Sequence, residues 1–507
     1  MLLLLPGRHH LLTTDLMARL TLLVGERRGG PEAVDALVWA ITSANHQNTR
    51  RNPLPGHRRE AALSAFAEGL DAPSFVYHID DVGESGRFAD YILKKVEVDS
   101  FGRFRLVPAD TLVATGTPEL AVQFQALGFR VVADGGSAYL LLEELVRAGL
   151  AGEEWERLPA FLSRVHRASR HLIERYGYAR AIVDLHRHPV GTDDGDLTAT
   201  RDYNVYVRAF DDGADRKAAL VRDHLRPGRI VDVGCCTGSL IQQLTRLPAL
   251  RESDFYGIEL ARPLYEECLH RKRQGAFGSD HVFFYQANVA ERPLFAPNSV
   301  DTFTTFSLTH ELESYQGRAF LLRFMGILHE QLAVGGRWLN ADVVGPEGGD
   351  EEVRLWLRSD DGAEEAGDPP DRQAFRAELG KLSTRGRFLR FARDFRAAEG
   401  YRLEYRMEGE YAVLSLRDAC EFLSKKDYLD NWRSEMHEAF CFWSFADWTQ
   451  AVQAAGFAVL SASRAYANPW IVENRYEGKA ALFRKRGTGL ERLPWPPTNM
   501  LLVAEKR

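Results

Sequence analysis

Cysteine is scarce in this chain of 507 residues, which contains five cysteines and no Cys-x-x-Cys pair. An odd number of thiols without paired spacing argues against a disulfide framework and against a cysteine-based zinc site. No run of about 18 apolar residues occurs, so we expect no transmembrane helix. The opening MLLLLPGRHH has no basic segment before its short apolar run. We therefore expect no signal peptide and a cytoplasmic location.

The chain also lacks an excess of positive charge, since its formal net charge is -7. Such a chain has no overall attraction to nucleic acid or to anionic membranes, and no stripe of basic and aromatic residues is visible. The contents of 45% hydrophobic and 27% charged residues are ordinary for a folded protein. At roughly 100–200 residues per domain, the length predicts two to four domains. These features favour a small-molecule partner.

Short apolar runs alternate with amphipathic segments over residues 1–135. The runs are LLLLP, ALVWAITSA, SFVYHID, TLVATG and FRVVADG. Strands that alternate with helices predict a parallel sheet with helices on its faces. Helical patterns then continue, so we predict an α/β domain over 1–185. The polar, turn-rich stretch that follows predicts a linker over 186–201.

A second alternating block begins at residue 202. Its strand candidates are RIVDVG, DFYGIEL, VFFYQANV, VDTFTTFSL and GRWLNADVV. We predict a second core over 202–345, a mostly helical insertion or cap over 346–450, and C-terminal strands over 451–507 that complete the second sheet. The predicted fold class is α/β, with two Rossmann-like doubly wound domains.

A glycine-rich turn follows the first strand of the second block, in RIVDVGCCTGS. Glycines at Gly234 and Gly238 let the backbone turn and approach a ligand closely. The next strand ends in Glu259, 21 residues after Gly238, where an acid can bind the two ribose hydroxyls of an adenosyl ligand. A nicotinamide-dependent dehydrogenase is disfavoured, because it needs a G-x-G-x-x-G turn and the spacing here is G-x-x-x-G.

The candidate cofactor-binding residues all belong to these strand ends. They are Asp232, Gly234, Cys235, Gly238, Glu259, Leu260, Asn288, Val289 and Ser307.

This series of motifs resembles the class I S-adenosylmethionine-dependent methyltransferases over about 200–345 and the last two strands. VDVGCCTGS is similar to the family's glycine motif, QANV to its adenine-side motif and LAVGGRWL to its fifth-strand turn. The resemblance implies a seven-stranded methyltransferase sheet and S-adenosyl-L-methionine as the cofactor. Two departures are visible: Cys235-Cys236 stands where one Cys and a Gly are common, and Asn288 where Asp is common.

Three polar clusters are candidates for the acceptor side of a methyl transfer. They are Thr309–Glu311, Glu435–Glu438, and Asn468 with Glu473 and Asn474. His310 and Glu311 follow the fourth strand, and His310 is a candidate general base because its ordinary pKa lies near neutrality. We predict catalytic roles for His310, Glu311 and His437. Each histidine is equally compatible with a structural role.

The predicted acceptor-binding residues are Glu435, Glu438, Trp443, Glu473 and Asn474. Core packing explains the aromatic run around Trp443 equally well. A metal site built from His310, Glu311, His437 and Glu438 is conceivable, as in RNA 3'-terminal 2'-O-methyltransferases. Their Glu-x-x-Glu-His spacing is absent, so we predict no metal.

The first 135 residues resemble nicotinamide-mononucleotide adenylyltransferases. The similar segments are LLLLPGRHHLL, ITSANHQNTRRNPLPGHRREAAL and TLVATGTPELAVQFQALGFRV. The family's His-x-Gly-His motif is replaced by TTDL at 13–16, and a late Ser/Thr-Arg phosphate motif is not evident. The resemblance therefore implies a domain that binds a nucleotide-like group, with Arg8, His9 and Arg58 as candidate phosphate contacts. Purely structural and still-catalytic versions of this domain remain open.

The sequence therefore predicts a methyltransferase that acts on a small-molecule acceptor, free or nucleotide-linked. One alternative is a bifunctional enzyme with an active N-terminal nucleotidyl-transfer or cleavage site. An alternative of a different class is a sensor that binds S-adenosylmethionine without turnover.

Overall fold

The computed structural model describes residues 1–25, 33–82, 85–135, 138–187, 203–288 and 293–507; for 203–210 and 212 it describes the backbone alone. The chain forms two compact units, Met1–Gly195 and Asp196–Arg507. A helix over Tyr178–Arg187 includes the first two residues of the predicted linker. The remainder of that linker lies outside the described residues. None of the described helices combines the length and the apolar character needed to cross a membrane.

The first unit contains a five-stranded parallel sheet, and each strand lies in one of the five predicted runs. The strands are β1 (Leu2–Gly7), β2 (Ala36–Ile41), β3 (Ser74–His78), β4 (Thr111–Ala114) and β5 (Arg130–Val132). Their order in the sheet is β3-β2-β1-β4-β5, so the direction of chain progression reverses between β1 and β4. The central strands β1, β2 and β4 are buried, which explains why they read as continuous apolar runs.

Eight helices accompany this sheet in the described part of the first unit. They are α1 (Thr14–Gly25), α2 (Gly56–Ala67), α3 (Phe88–Asp99), α4 (Pro118–Ala126), α5 (Ala138–Leu150), α6 (Pro159–Arg164), α7 (Arg167–Tyr176) and α8 (Tyr178–Arg187). Two apolar clusters lie on the two faces of β1: one contains Leu3 and Leu5, the other Leu4. Both faces of the sheet are therefore covered, as a doubly wound fold requires.

The second unit is built on a sheet of seven strands in one path, with one further strand at its side. The strands are β6 (Arg229–Val233), β7 (Asp254–Glu259), β8 (Val282–Gln286), β9 (Val300–Phe306), β10 (Leu332–Val343), β14 (Phe457–Val459), β15 (Arg464–Tyr466) and β18 (Asn499–Lys506). The order is β14-β18-β10-β9-β6-β7-β8, with β15 beside β18. Strand β18 runs antiparallel to β10, whereas β6 to β10 pair in parallel.

Five helices accompany the parallel strands of this sheet, and the last four of them connect one strand to the next. They are α9 (Tyr203–Val221), α10 (Ser239–Leu244), α11 (Arg262–Arg273), α12 (Thr309–Gln316) and α13 (Arg318–Gln331). The progression reverses between β6 and β9, and ligands of open α/β sheets bind at such a point, outside the carboxyl ends of the strands. The glycine turn after β6 and the polar residues after β9 lie at this edge.

The segment 346–450 contains helices that cover fewer than half of its residues, and it also contributes strands to a second sheet. Its helices are α14 (Arg372–Lys381), α15 (Thr384–Asp394), α16 (Leu416–Lys425), α17 (Trp432–Glu435) and the start of α18 (Phe445–Ala454). Its strands are β11 (Glu352–Leu357), β12 (Arg406–Glu408) and β13 (Tyr411–Ser415).

The prediction that 451–507 completes only the methyltransferase sheet needs a correction. The strands β16 (Ala480–Arg486) and β17 (Gly489–Arg492) join the antiparallel sheet β12-β13-β11-β16-β17 instead. Charged side chains pair across these strands, for example Arg354 with Glu408 at 3.0 Å. Such residues hide the apolar alternation by which a strand is recognised in sequence.

A buried arginine fastens the carboxyl ends of β1 and β2 in the first unit. Arg59 on α2 is 0% exposed, and its guanidinium donates to the carbonyl oxygens of Arg8 (3.0 Å), Thr42 (2.8 Å) and Ser43 (2.8 Å). Burial lowers the pKa of Arg59 to about 10, so the side chain remains charged at neutral pH. Carbonyl oxygens in two loops therefore accept hydrogen bonds from one buried guanidinium.

We expect Arg59→Met to destabilise the first unit by at least about 2 kcal/mol, because each buried polar group left without a partner costs about 1–3 kcal/mol. Hydrogen exchange of the β1 and β2 amides in the full chain measures the effect. His57→Ala is the matched control, since His57 is an exposed residue of the same helix. Equal amide protection in the two variants would show that Arg59 is dispensable.

Candidate functional site

The turn after β6 is tied to the end of β7 through backbone hydrogen bonds. The amides of Gly234 and Cys235 both donate to the carbonyl oxygen of Ile258, at 2.8 and 3.1 Å. Gly234 and Gly238 have φ values of 71° and 74°, which glycine adopts without strain. A Cβ at Gly238 would also lie 3.1 Å from Cζ of Phe284. Both glycines are therefore required by the shape of the turn.

The two cysteines of the turn have different roles. Cys235 is buried with its Sγ 4.0 Å from Sγ of Cys268, so its side chain points into the interior. Cys236 has a φ of 54° although it carries a side chain, a conformation that costs a non-glycine residue free energy. This is the position where the resemblance predicts glycine, and the left-handed backbone is retained in spite of the substitution.

Glu259 lies at the end of β7, as predicted, and is held by backbone amides. Its Oε2 accepts from the amide of Cys236 at 2.9 Å, and its Oε1 accepts from Leu260 at 2.8 Å and Ala261 at 2.9 Å. Burial raises the pKa of Glu259 to about 7 in spite of these bonds. A carboxylate offers about four acceptor positions, so three are used within the turn. Oε2 retains one position for a ligand hydroxyl.

Asp232 lies in β6 just before the turn and is buried. Its Oδ1 accepts a hydrogen bond of 2.7 Å from the hydroxyl of Thr304 on β9. Burial raises the pKa of Asp232 to about 6, and the nearby Lys217 opposes the shift. Burial in turn lowers the pKa of Lys217 to about 8. The switch point between β6 and β9 therefore contains two ionisable groups that titrate near neutral pH.

The other predicted cofactor residues occupy the same edge of the sheet. Leu260 follows Glu259 directly, and Asn288 follows β8 in a half-buried position. Ser307 follows β9, is exposed and has a φ of 51°. Val289 lies outside the described residues.

His310 is buried between two carboxylates that come from distant parts of the second unit. Its Nδ1 lies 2.6 Å from Oδ1 of Asp342, at the end of β10. Its Nε2 lies 3.4 Å from Oε2 of Glu438, in the segment that follows α17. His310 is 5% exposed and Glu438 is 1% exposed. The structure thus brings together two predicted residues, His310 and Glu438, with Asp342, which was not predicted.

The protonation of His310 is set by these neighbours. Burial alone would lower its pKa, but the Asp342 and Glu438 carboxylates outweigh burial and raise the pKa of His310 well above its usual value. The pKa of Asp342 is lowered, because His310 and the hydroxyl of Thr309 outweigh its own burial. An imidazolium cannot accept a proton. The geometry therefore does not favour His310 as a general base, and its catalytic role stays a prediction.

Glu438 is held in place by contacts of its own backbone and side chain. The carbonyl oxygen of Glu438 accepts from Nζ of Lys425, which also pairs with Glu421 at 2.9 Å. The hydroxyl of Tyr315 donates to Oε1 of Glu438 at 3.0 Å. Lys425 and Glu421 are both buried, so the inserted segment fixes Glu438 through a buried ion pair.

Glu311 lies near His310 and Glu438 and also near Glu259. It forms a group with His310 and Glu438 whose ligand atoms all lie within 4.8 Å of one another. Its charge also contributes to the raised pKa of Glu259. Glu311 therefore links the predicted ribose site to the acidic cluster around His310.

The remaining predicted acceptor-side residues are dispersed. His437 is exposed and its Nδ1 lies 2.7 Å from Oε1 of Glu399, so the structure does not support a role beside His310. Trp443 packs edge-on against Trp448 with ring centroids 5.0 Å apart, which agrees with core packing. Glu473 and Asn474 are exposed, in a π-helical turn over Val472–Tyr476.

Glu435, a predicted acceptor-binding residue, is buried and lies near two residues that the sequence did not indicate, Tyr428 and Arg475. Burial and the charge of Glu435 raise the pKa of Tyr428. Arg475 from the π-helical turn lies 5.1 Å from the centroid of the Tyr428 ring. No sequence signal marked Tyr428, Arg475 or Tyr315, whereas Asp342 lies within the strand candidate GRWLNADVV, near its carboxyl end.

Three residues of the first unit, Arg8, His9 and Arg58, are the predicted phosphate contacts, and their surroundings differ. His9 is turned inward, with Nε2 3.1 Å from the carbonyl oxygen of Leu5. Burial lowers its pKa to about 4, which does not favour a contact with phosphate, and the role of His9 stays a prediction. Arg58 stacks on Tyr176 at 3.8 Å from the ring centroid. Arg8 lies at the carboxyl end of β1, where its carbonyl oxygen accepts from Arg59.

The chain is similar to known methyltransferases in a part of its length. Residues 231–330 match the family described as methyltransferase domain. No curated protein matches the chain. Among solved structures, an S-adenosylmethionine-dependent methyltransferase from Mesorhizobium loti has 15% identity and a TM-score of 0.31, covering 58% of this chain and 100% of its own. A possible histamine N-methyltransferase from Thermotoga maritima has 13% identity and a TM-score of 0.30, covering 61% and 97%.

A third solved structure is geranyl diphosphate C-methyltransferase from Streptomyces coelicolor A3(2), with 12% identity and a TM-score of 0.30, covering 63% of this chain and 88% of its own. Because these TM-scores are low, the similarity to methyltransferases rests on the family match and on the order of the strands. Residues 231–330 are therefore similar to a methyltransferase domain, and the cofactor that this match supports is S-adenosyl-L-methionine.

Proposed function

We propose that the protein transfers a methyl group from S-adenosyl-L-methionine to a small-molecule acceptor. The observation that carries the proposal is the composition of one sheet edge. The glycine turn and Glu259 lie there with Glu311 and His310, and the inserted segment adds Glu438 beside His310. A site that only bound the cofactor would not require a buried polar cluster contributed by a separate segment.

The sulfonium already activates the methyl group, so the protein's task is to align the acceptor and to accommodate its proton. Glu259 is placed to hold the ribose, with Oε2 as the oxygen that retains an acceptor position. Asp232 and Glu311 supply negative charge near the positively charged cofactor. The acceptor side is formed by Glu438 and Glu435. Aromatic rings line this side too, including Phe440, whose centroid lies 4.8 Å from that of His310.

The alternative of a sensor without turnover predicts no labelled product from any acceptor. To separate the two, the full chain is incubated with deuteromethyl-labelled S-adenosylmethionine and fractionated small-molecule extract. Mass spectrometry then detects a metabolite that gains the label together with S-adenosylhomocysteine. We expect a labelled small molecule with wild-type protein and a strongly reduced amount with Glu259→Ala. Cofactor binding without any labelled product would favour the sensor.

We expect Glu259→Ala to weaken S-adenosylhomocysteine binding by about 1.5–3 kcal/mol, roughly 10-fold to 150-fold, because a hydrogen bond to a charged acceptor has about that value. Calorimetry on the full chain measures the loss. Glu266→Ala is the control, since Glu266 is a residue of the neighbouring helix α11 paired with Arg262. Unchanged affinity in Glu259→Ala contradicts the ribose assignment.

For the first unit we propose recognition of a nucleotide-like part of a substrate or regulator. The support is its doubly wound parallel sheet, with Arg8 at the end of β1 where such sheets bind ligands. Adenylyl transfer is not expected, because phosphoryl transfer depends on positioned cationic donors. His9 is uncharged at neutral pH, and the guanidinium of Arg59 binds carbonyl oxygens.

We expect the full chain to bind a pyridine or adenine nucleotide weakly and to release little pyrophosphate from ATP. Titration against a nucleotide panel tests the first expectation, with Arg8→Ala expected to weaken binding. A pyrophosphate-release assay tests the second. Rapid pyrophosphate release would favour the bifunctional alternative, whereas no binding of any nucleotide would leave this unit as a scaffold.

A further inference from the structure

We propose that His310, Glu311 and Glu438 bind a divalent transition-metal ion at the acceptor side of the methyltransferase site. The location of the ion beside the acceptor rests on the proposed function, but the binding itself does not. One nitrogen and two carboxylate groups offer ligand atoms within 4.8 Å of one another. His310 and Glu438 are 5% and 1% exposed, unlike the surface carboxylates that commonly lie close together without an ion.

The orientation of His310 is the first argument. Its Nδ1 lies 2.6 Å from Oδ1 of Asp342, which directs Nε2 toward Glu438. A metal-bound histidine almost always donates its other ring N–H to a carboxylate or carbonyl oxygen. Asp342 is itself fixed, because its Oδ2 accepts from the amide of Thr309 at 2.8 Å and from its hydroxyl at 2.5 Å. The ring is thus held in the orientation of a ligand, and an ion that binds Nε2 displaces the proton that His310 otherwise carries between the two carboxylates.

The distance between the two buried ligand groups is the second argument. Nε2 of His310 and Oε2 of Glu438 are 3.4 Å apart, which exceeds the usual N–H···O range of about 2.7–3.2 Å. Two donors that each lie about 2.1 Å from one tetrahedral ion are about 3.4 Å apart. The observed separation therefore suits a shared ion as well as the direct ion pair between His310 and Glu438.

The support around Glu438 is the third argument. Tyr315 donates to Oε1 at 3.0 Å, so Oε2 is the oxygen that faces His310. The hydroxyl of Ser314 accepts from the amide of Ala439 at 2.8 Å and donates to the carbonyl oxygen of His310 at 2.7 Å. Helix α12 and the Glu438 segment are therefore kept in register by bonds that do not use the ligand atoms. Both buried ligands have supporting partners, as in established metal sites.

The donor set defines the class of ion. An imidazole with carboxylates suits Zn²⁺, Mn²⁺, Fe²⁺ or Co²⁺, whereas Ca²⁺ takes six to eight oxygen ligands. Three protein donors leave at least one coordination position open. On the proposed function, an oxygen or nitrogen of the acceptor would occupy that position.

The test uses the full chain, stripped with EDTA and dialysed, and the metal ions alone as probes. Zn²⁺ and Mn²⁺ are titrated calorimetrically, and bound metal is counted by mass spectrometry after gel filtration. We expect one ion per wild-type chain, and binding weakened at least about 10-fold in Glu438→Gln and in Glu311→Gln. His437→Ala is the matched control, because His437 adjoins Glu438 in the chain but pairs with Glu399.

Glu311 is half-buried, so Glu311→Gln keeps the test valid if Glu438→Gln does not fold. S-adenosylhomocysteine binding by the same samples reports folding and tests the cofactor site separately. Metal bound by a chain that methylates nothing would refute the proposed function and leave the metal site standing. No bound ion in the wild-type chain, or equal binding in wild type and Glu311→Gln, overturns the metal site.

Discussion

The second unit depends on a buried charge contact that joins three distant stretches of its chain. His310 lies in the first turn of α12, Asp342 lies near the end of β10 and Glu438 belongs to the inserted segment. Removing one partner of a buried ion pair is strongly destabilising, because the remaining charge has lost its compensation. The inserted segment is therefore coupled to the carboxyl edge of the sheet through the same side chains that we propose to face the acceptor. Any displacement of Glu438 changes both the stability of this contact and the chemistry of the site.

The sequence was sufficient for the parts of the structure that local patterns determine. Continuous apolar runs predicted β1, β2 and β4, because strands buried on both faces exclude polar residues. The G-x-x-x-G turn and Glu259 were recognisable because a strand, a turn and an acid at the next strand end follow one another within about thirty residues, as in nucleotide-binding folds. Even Cys236 did not disturb this prediction, since the turn keeps its left-handed backbone at that residue.

What the sequence could not provide is the direction of single side chains. His437 and Glu438 are neighbours, yet one pairs with Glu399 and the other faces His310. Arg58 and Arg59 are also neighbours, but Arg58 stacks on Tyr176 whereas Arg59 fastens two loops. These choices depend on contacts between residues far apart in the chain. The antiparallel sheet around β11 was missed for a similar reason, because its charged residues are satisfied by partners on adjacent strands.

Two acids at the carboxyl edge of the sheet, Asp232 and Glu259, differ from the acids of the many surface ion pairs. A surface acid faces a basic side chain, whereas these two acids are buried. Burial raises the pKa of Asp232 to about 6 and that of Glu259 to about 7, so both acids are only partly compensated by the protein. Perturbed groups of this kind are typical of functional sites. The sulfonium and ammonium of S-adenosylmethionine carry positive charge that would stabilise the ionised acids. Cofactor binding would therefore recover part of the free energy that the burial of these carboxylates costs.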